Sequence, residues 1–179
     1  MFTLVPLFAA LTAAGAFIQI QTPLVPVTLQ TLLVYSSGLF LGPAGGALSQ
    51  LLYVSLGLIG LPVFAGGGGI IYVLSPSFGY LVGFIPAAAV SGWFAGKGGN
   101  LFPIIGVCLS VLVVYLFGVP YLFGVANFVL KKEISMIAAA KLGFLVTLPG
   151  DIVKAALAIL VFSSARERLG LPVGKYGNG

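Results

Sequence analysis

The sequence predicts an all-α integral membrane protein, a six-transmembrane-helix bundle, and two observations carry that expectation. Hydrophobic residues fill 60% of the 179 positions and charged residues only 6%, whereas a soluble domain carries about 25% charged residues. The few charges are also segregated: all eight bases stand at Lys97 or later, the three acids are Glu133, Asp151 and Glu167, and Met1 to Gly96 carries none. That stretch is too long for one span and too apolar for a domain in water, so lipid is the solvent for most of the chain.

A span needs roughly 20 apolar residues to cross a hydrocarbon core of about 30 Å, and helix breakers set its limits. The first span runs from Phe2 to Ile20 and stops at Gln21-Thr22-Pro23. It lacks the basic leader of a cleaved signal peptide and is read as a retained helix. The second runs from Thr28 to Leu41, the third from Ala44 to Leu61 after a tight Gly42-Pro43 turn, and the fourth from Phe78 to Ala95. The fifth runs from Leu101 to Phe123 and the sixth from Leu148 to Ser164. Between the last two, Gly124 to Pro149 carries Lys131, Lys132, Glu133 and Lys141 beside apolar residues at helical spacing, which predicts an interfacial helix. Residues 1–170 form one domain, and the Gly-rich 171–179 reads as a flexible tail.

Composition excludes several functions. The net charge of +5 comes from dispersed bases that make no stripe for nucleic acid. With no histidine and one cysteine, Cys108, in an apolar run, there is neither a metal site nor an internal disulfide. No glycine run is followed by the Lys-Ser/Thr of a phosphate loop, so any ATP-driven step would have to come from a partner. With six spans both termini share one side. Lys97, Arg166, Arg168 and Lys175 lie there against Lys131, Lys132 and Lys141 opposite, which favours cytoplasmic termini.

Polar and glycine residues concentrate in the first, third and fifth loops, which alternation of spans puts on one face. Gln30 belongs to the first of these; Gly66, Gly67, Gly68 and Gly69 with Tyr72 and Tyr80 belong to the third. The strongest signal is Asp151 with Lys154, spaced to share one face of a helix. Ionisable groups inside a span face the bundle interior and mark solute paths. They are expected to bind a solute, with Tyr80, Gln30 and the backbone of Gly66 to Gly69 completing the polar set and Phe64 and Tyr72 covering apolar parts. No catalytic residue is expected. In the first span Ala9 with Ala13 and Ala10 with Ala14 are small residues four apart, suited to close helix contact within the bundle or with a partner.

The runs Val27-Thr-Leu-Gln-Thr-Leu32, Gly38-Leu-Phe-Leu-Gly42, Gly57-Leu-Ile-Gly-Leu-Pro-Val-Phe-Ala-Gly-Gly67, Gly79-Tyr-Leu-Val-Gly-Phe84 and Gly150-Asp-Ile-Val-Lys154 resemble the BioY family of biotin transporters. The resemblance covers Ala10 to Ala165. It implies the S-component of an energy-coupling factor (ECF) transporter in the plasma (inner) membrane, with biotin as ligand and no cofactor. It also implies a transmembrane coupling (T) subunit and two cytoplasmic ATPase subunits as partners, docked on Ala9/Ala13 or Ala10/Ala14. The family usually reads Gly-Pro-Thr-Gly-Gly-Tyr before the fourth span. Here it is Ser75-Pro-Ser-Phe-Gly-Tyr80, which puts Phe78 close to the expected site. Alternatives are an S-component for another vitamin or an intramembrane enzyme.

Overall fold

The computed structural model describes residues 3–22 and 24–169; the expected tail at 171–179 lies outside the described residues. The protein is mostly helical. Helix α1, Leu4–Phe17, leads into strand β1, Gln19–Ile20, which pairs antiparallel with β2, Val27–Thr28. Helix α2 spans Gln30–Leu58, a 3-10 turn follows at Ile70–Leu74, and α3 spans Phe78–Ala95. Helix α4, Leu101–Gly124, continues as a π turn through Val129. A short α5, Met136–Ala140, passes through a second π turn, Lys141–Leu145, toward α6, Leu148–Leu169.

Among the described residues four stretches are long and apolar enough to cross a membrane: Gln30–Leu58, Phe78–Ala95, Leu101–Val129 and Met136–Arg168; Leu4–Phe17 is a shorter apolar helix. Their burial is that of a chain in lipid. Large apolar side chains such as Leu116 (70% exposed), Leu160 and Ile152 point outward, while Gln50 (0% exposed), Ser37, Ser49, Ser91 and Ser110 lie inside. Hydrocarbon solvates the first group, and the second can be satisfied only within the bundle.

The expected second and third spans are one assigned helix, α2, but not a straight one. Gly42 inside it has φ 74° and ψ −178°, a conformation essentially confined to glycine. Side chains on either side of it meet. The Gln30 amide donates to the Tyr53 hydroxyl, and the Gln50 amide donates to Ser37 Oγ at 3.1 Å. Twenty-three residues of straight helix would separate Gln30 from Tyr53 by about 34 Å. The chain therefore folds back at Gly42, and its arms pack so closely that a Cβ on Gly46 would lie 2.7 Å from the Gly38 Cα.

Two other expectations are corrected. The first span ends at Phe17 rather than Ile20, because Gln19 and Ile20 pair with Thr28 and Val27. No separate interfacial helix occupies 124–149: α4 carries on to Val129, the chain turns, and helix resumes at Met136 and runs toward α6. Lys131 and Glu133 adopt left-handed backbone at the turn, with φ 52° and 49°. The Asn127 amide closes it, donating to the Ile134 carbonyl at 3.0 Å and accepting from its N–H at 2.7 Å. Ser135 then caps the new helix, accepting from the Ala138 N–H.

The loops sort onto two faces. On one, the Gln19 amide donates to the Ala65 carbonyl at 3.1 Å, Tyr121 donates to the Val73 carbonyl, and Lys154 reaches the Thr28 carbonyl at 2.8 Å. On the other, Arg166 near the end of α6 donates to the Gly99 carbonyl in the α3–α4 loop at 3.0 Å.

The conformation at Gly42 is open to test. Gly42→Ala should lower unfolding stability in detergent by about 1–3 kcal/mol. Gly124→Ala, where a methyl group meets nothing within 4 Å, should leave it unchanged or slightly raised.

Candidate functional site

Asp151 lies in the first turn of α6, where the positive end of the helix dipole favours a carboxylate. Lys154 follows one turn later on the same face, its Nζ 2.5 Å from Asp151 Oδ1. Both are buried, at 4% and 7% exposure. They are not bonded solely to each other. Thr31 from α2 donates to Asp151 Oδ1 at 2.8 Å, and Tyr115 from α4 donates to Oδ2. Thr147 Oγ lies 2.9 Å from the Tyr115 hydroxyl. Lys154 also donates to the carbonyl of Thr28 in β2. Four segments thus converge on one ion pair.

The pair lines a small, partly enclosed cavity of about 50 Å³. Val25, Pro26, Val27, Leu81, Phe84 and Val114 supply apolar wall; Thr28, Gln30, Thr31, Tyr72, Ser77, Tyr80, Tyr115 and Thr147 supply polar groups. Near its mouth Tyr72 Oη lies 3.1 Å from Ser77 Oγ, which lies 2.9 Å from Ser75 Oγ.

Hydrogen-bond capacity defines what the pair can still do. An ionised carboxylate accepts about four hydrogen bonds and an ammonium donates three. Asp151 accepts from Thr31, Tyr115 and Lys154; Lys154 gives to Asp151 and Thr28. One acceptor, on Oδ2, and one donor, on Nζ, remain for a bound molecule.

Of the residues expected from sequence, Asp151, Lys154, Gln30, Tyr72 and Tyr80 come together around this cavity. Tyr80 presents its ring there while its hydroxyl donates to the Gly143 carbonyl at 2.9 Å, tying α3 to the π turn before α6. Gln30 is engaged too, with Thr28 Oγ at 2.9 Å from its Oε1 and its amide on Tyr53.

Phe64 and Gly66, Gly67, Gly68 and Gly69 are not in the wall. Phe64, 1% exposed, sits behind Tyr72, with ring centroids 4.7 Å from Tyr72 and 5.5 Å from Tyr53. The glycines serve the fold of the loop: the Gly67 N–H donates to the Phe64 carbonyl and the Gly69 N–H to the Gly57 carbonyl at 2.7 Å. Gly69 has φ 96°, which explains glycine there without a ligand. Their neighbour Ala65 does reach the cavity, as do Tyr72 and Ser77 further along the loop. Phe78 also stays clear of it, packed against the Tyr121 ring at 5.9 Å.

Thr31, Tyr115 and Thr147 were missed as site residues. Tyr115 carried a legible signal, a hydroxyl near the middle of a very apolar span that had to find a polar partner. Nothing in the pattern around Thr147 distinguished it from an ordinary helix start. The alanine pairs of α1 part company: Ala9 is buried at 2% exposure and Ala13 packs half-buried against the core, while Ala10 and Ala14 are exposed.

A lipid-embedded helical bundle that closes a part-polar cavity around a paired acid and base is a membrane solute-binding protein. Comparison with known proteins narrows the class. The chain belongs to the BioY family, whose model matches residues 1–170. It is 41% identical over 173 residues to a probable biotin transporter BioY of Lysinibacillus sphaericus, covering 91% of this chain and 88% of the relative. It is 40% identical over 172 residues to the biotin transporter BioY of Rhodobacter capsulatus, covering 89% of each. A solved S-component for biotin from an ECF-type ABC transporter superposes with a TM-score of 0.70, at 26% identity and over 97% of this chain and 92% of that one.

Tyr115→Phe removes one hydrogen bond to a buried carboxylate and should lower stability in detergent by about 1.5–3 kcal/mol. Phe78→Leu, remote from the cavity, should leave solute affinity unchanged in a calorimetric titration.

Proposed function

We propose that this chain captures biotin as the S-component of an ECF transporter in the plasma (inner) membrane. It is a transport subunit, not an enzyme. The observation that carries the binding mode is the spare acceptor on Asp151 together with the spare donor on Lys154. A cyclic urea offers an N–H and a C=O on adjacent atoms of one ring edge, which matches that pair: the carboxylate accepts the N–H and the ammonium donates to the carbonyl. Both bonds are charge-assisted in a water-poor site, where they are roughly twice as strong as neutral ones.

The valerate carboxylate then points away from Asp151, toward the hydroxyls of Ser75, Ser77 and Tyr72 at the mouth, because like charges repel in the interior. The sulfur-containing ring packs on Val27, Leu81 and Phe84. Gly66 to Gly69 act by shaping the loop that carries Ala65 and Tyr72 over the ligand.

Counting the two arms of α2 separately, with α1, α3, α4 and the α5–α6 unit, gives six membrane-crossing segments. The face holding Lys97, Arg166 and Arg168 is cytoplasmic, with both termini on it. The chain has no phosphate-loop motif, so ATP is used by two partner ATPases through a transmembrane coupling (T) subunit. Ala10 and Ala14, exposed on α1, are the pair placed to meet that subunit; Ala9 and Ala13 pack inward.

Asp151→Asn and Lys154→Ala should each abolish tight biotin binding in detergent while leaving the protein folded. Near wild-type affinity by calorimetry in either variant would overturn the assignment. Ala14→Trp should leave biotin binding intact and abolish energised uptake by the assembled transporter; unimpaired uptake would remove α1 from the docking surface.

A further inference from the structure

A second opening lies on the lipid-facing side, backing onto the solute cavity at Tyr115. It is an open crevice of about 680 Å³ between α3, α4 and the α5 region. Its walls are almost wholly apolar, Trp93, Leu109, Leu112, Leu116 and Phe144 among them. From Leu109 to Val119 it follows α4 for about 15 Å, the reach of much of an acyl chain.

The end of the crevice at the α3–α4 loop is basic. Trp93 and Phe94 close it, and the Lys97 ammonium stands 3.6 Å from the Trp93 ring centroid and 4.9 Å from that of Phe94. Arg166 bonds the Gly99 carbonyl two residues beyond Lys97. Among the described residues this face holds Lys97, Arg166 and Arg168 against one acid, Glu167. An apolar slot the length of a lipid tail, ending at an aromatic–cation cluster at the level where headgroups lie, is complementary to one amphiphile with an anionic head.

We propose that the crevice is a binding site for a single anionic phospholipid, its phosphate held by Lys97 with Arg166 nearby and one acyl chain lying along Leu109, Leu112 and Leu116. The far wall gives the site a consequence. Tyr115 and Phe144 line the crevice, their rings 4.7 Å apart edge to face, and Tyr115 also holds Asp151 in the solute cavity. A tail packed there supports the back of the residue that orients the carboxylate. That coupling rests on the biotin reading; the lipid site itself does not.

The test is native mass spectrometry of protein taken from nanodiscs of equimolar phosphatidylglycerol and phosphatidylcholine. Biotin calorimetry in the same nanodiscs is the second readout. Wild type should retain one phosphatidylglycerol in preference to phosphatidylcholine. Lys97→Gln, an exposed change outside the solute site, should weaken that retention about fivefold. Leu112→Trp, which fills the slot, should abolish it. Equal retention of both lipids, retention unchanged in Lys97→Gln, or a crevice closed by a second protein copy would each overturn the site. Biotin affinity equal in nanodiscs with and without phosphatidylglycerol would overturn the coupling. A wild type that retains phosphatidylglycerol but binds no biotin would defeat the biotin reading and leave the lipid site standing.

Discussion

At the centre of a membrane span one unpaired ionised side chain costs about 2.5–3.5 kcal/mol on insertion scales, and the structure around Asp151 and Lys154 is organised by the need to satisfy them. Either residue alone would carry that cost. Together they still leave lone pairs and N–H groups that lipid cannot serve. Thr31, Tyr115 and the Thr28 carbonyl answer most of that demand. The bonds come from α4, from the start of α2 and from the strand pair before it, so the ion pair is also a tie among segments distant in sequence.

This tie explains why the β1–β2 pair exists in an otherwise helical protein. Between α1 and α2 the backbone must leave Thr28 with its carbonyl turned toward Lys154. Pairing Gln19 with Thr28 and Ile20 with Val27 holds it there without exposing unpaired amides to an apolar surface. The same constraint accounts for the π turn at Lys141–Leu145. The Gly143 carbonyl there accepts both the Tyr80 hydroxyl and Thr147, and Thr147 in turn meets Tyr115. The irregular turn brings backbone acceptors to the polar side of the cavity just before the helix delivers Asp151.

The remaining polar interior has a separate role. The Gln50 amide nitrogen lies within 3.3 Å of the Thr12, Ser37 and Ser49 hydroxyls, linking α1 to both arms of α2. Close packing of small residues around Gly38, Gly46 and Gly92 brings the arms of α2 against α3. Helix association in lipid depends on such small-residue contacts and interior hydrogen bonds, since the apolar exterior gains nothing by leaving hydrocarbon.

The one-dimensional pattern of hydropathy and charge was enough to determine the membrane setting, the limits of α3 and the start of α4, and the placing of Asp151 and Lys154 on one helix face, because each depends on local composition or on helical periodicity. It also placed the first, third and fifth loops on one face, which follows from counting reversals. Tertiary structure alone decided the rest. Whether Gly66 to Gly69 touch the cavity or only shape its loop depends on where Phe64 packs. Whether Ala9 or Ala10 faces outward depends on how α1 is rotated against α2. The choice of Tyr115 over the other tyrosines depends on α4 lying beside α6. Those are distances between residues far apart in the chain, and side-chain patterning along a helix says which residues share a face but not what that face will meet.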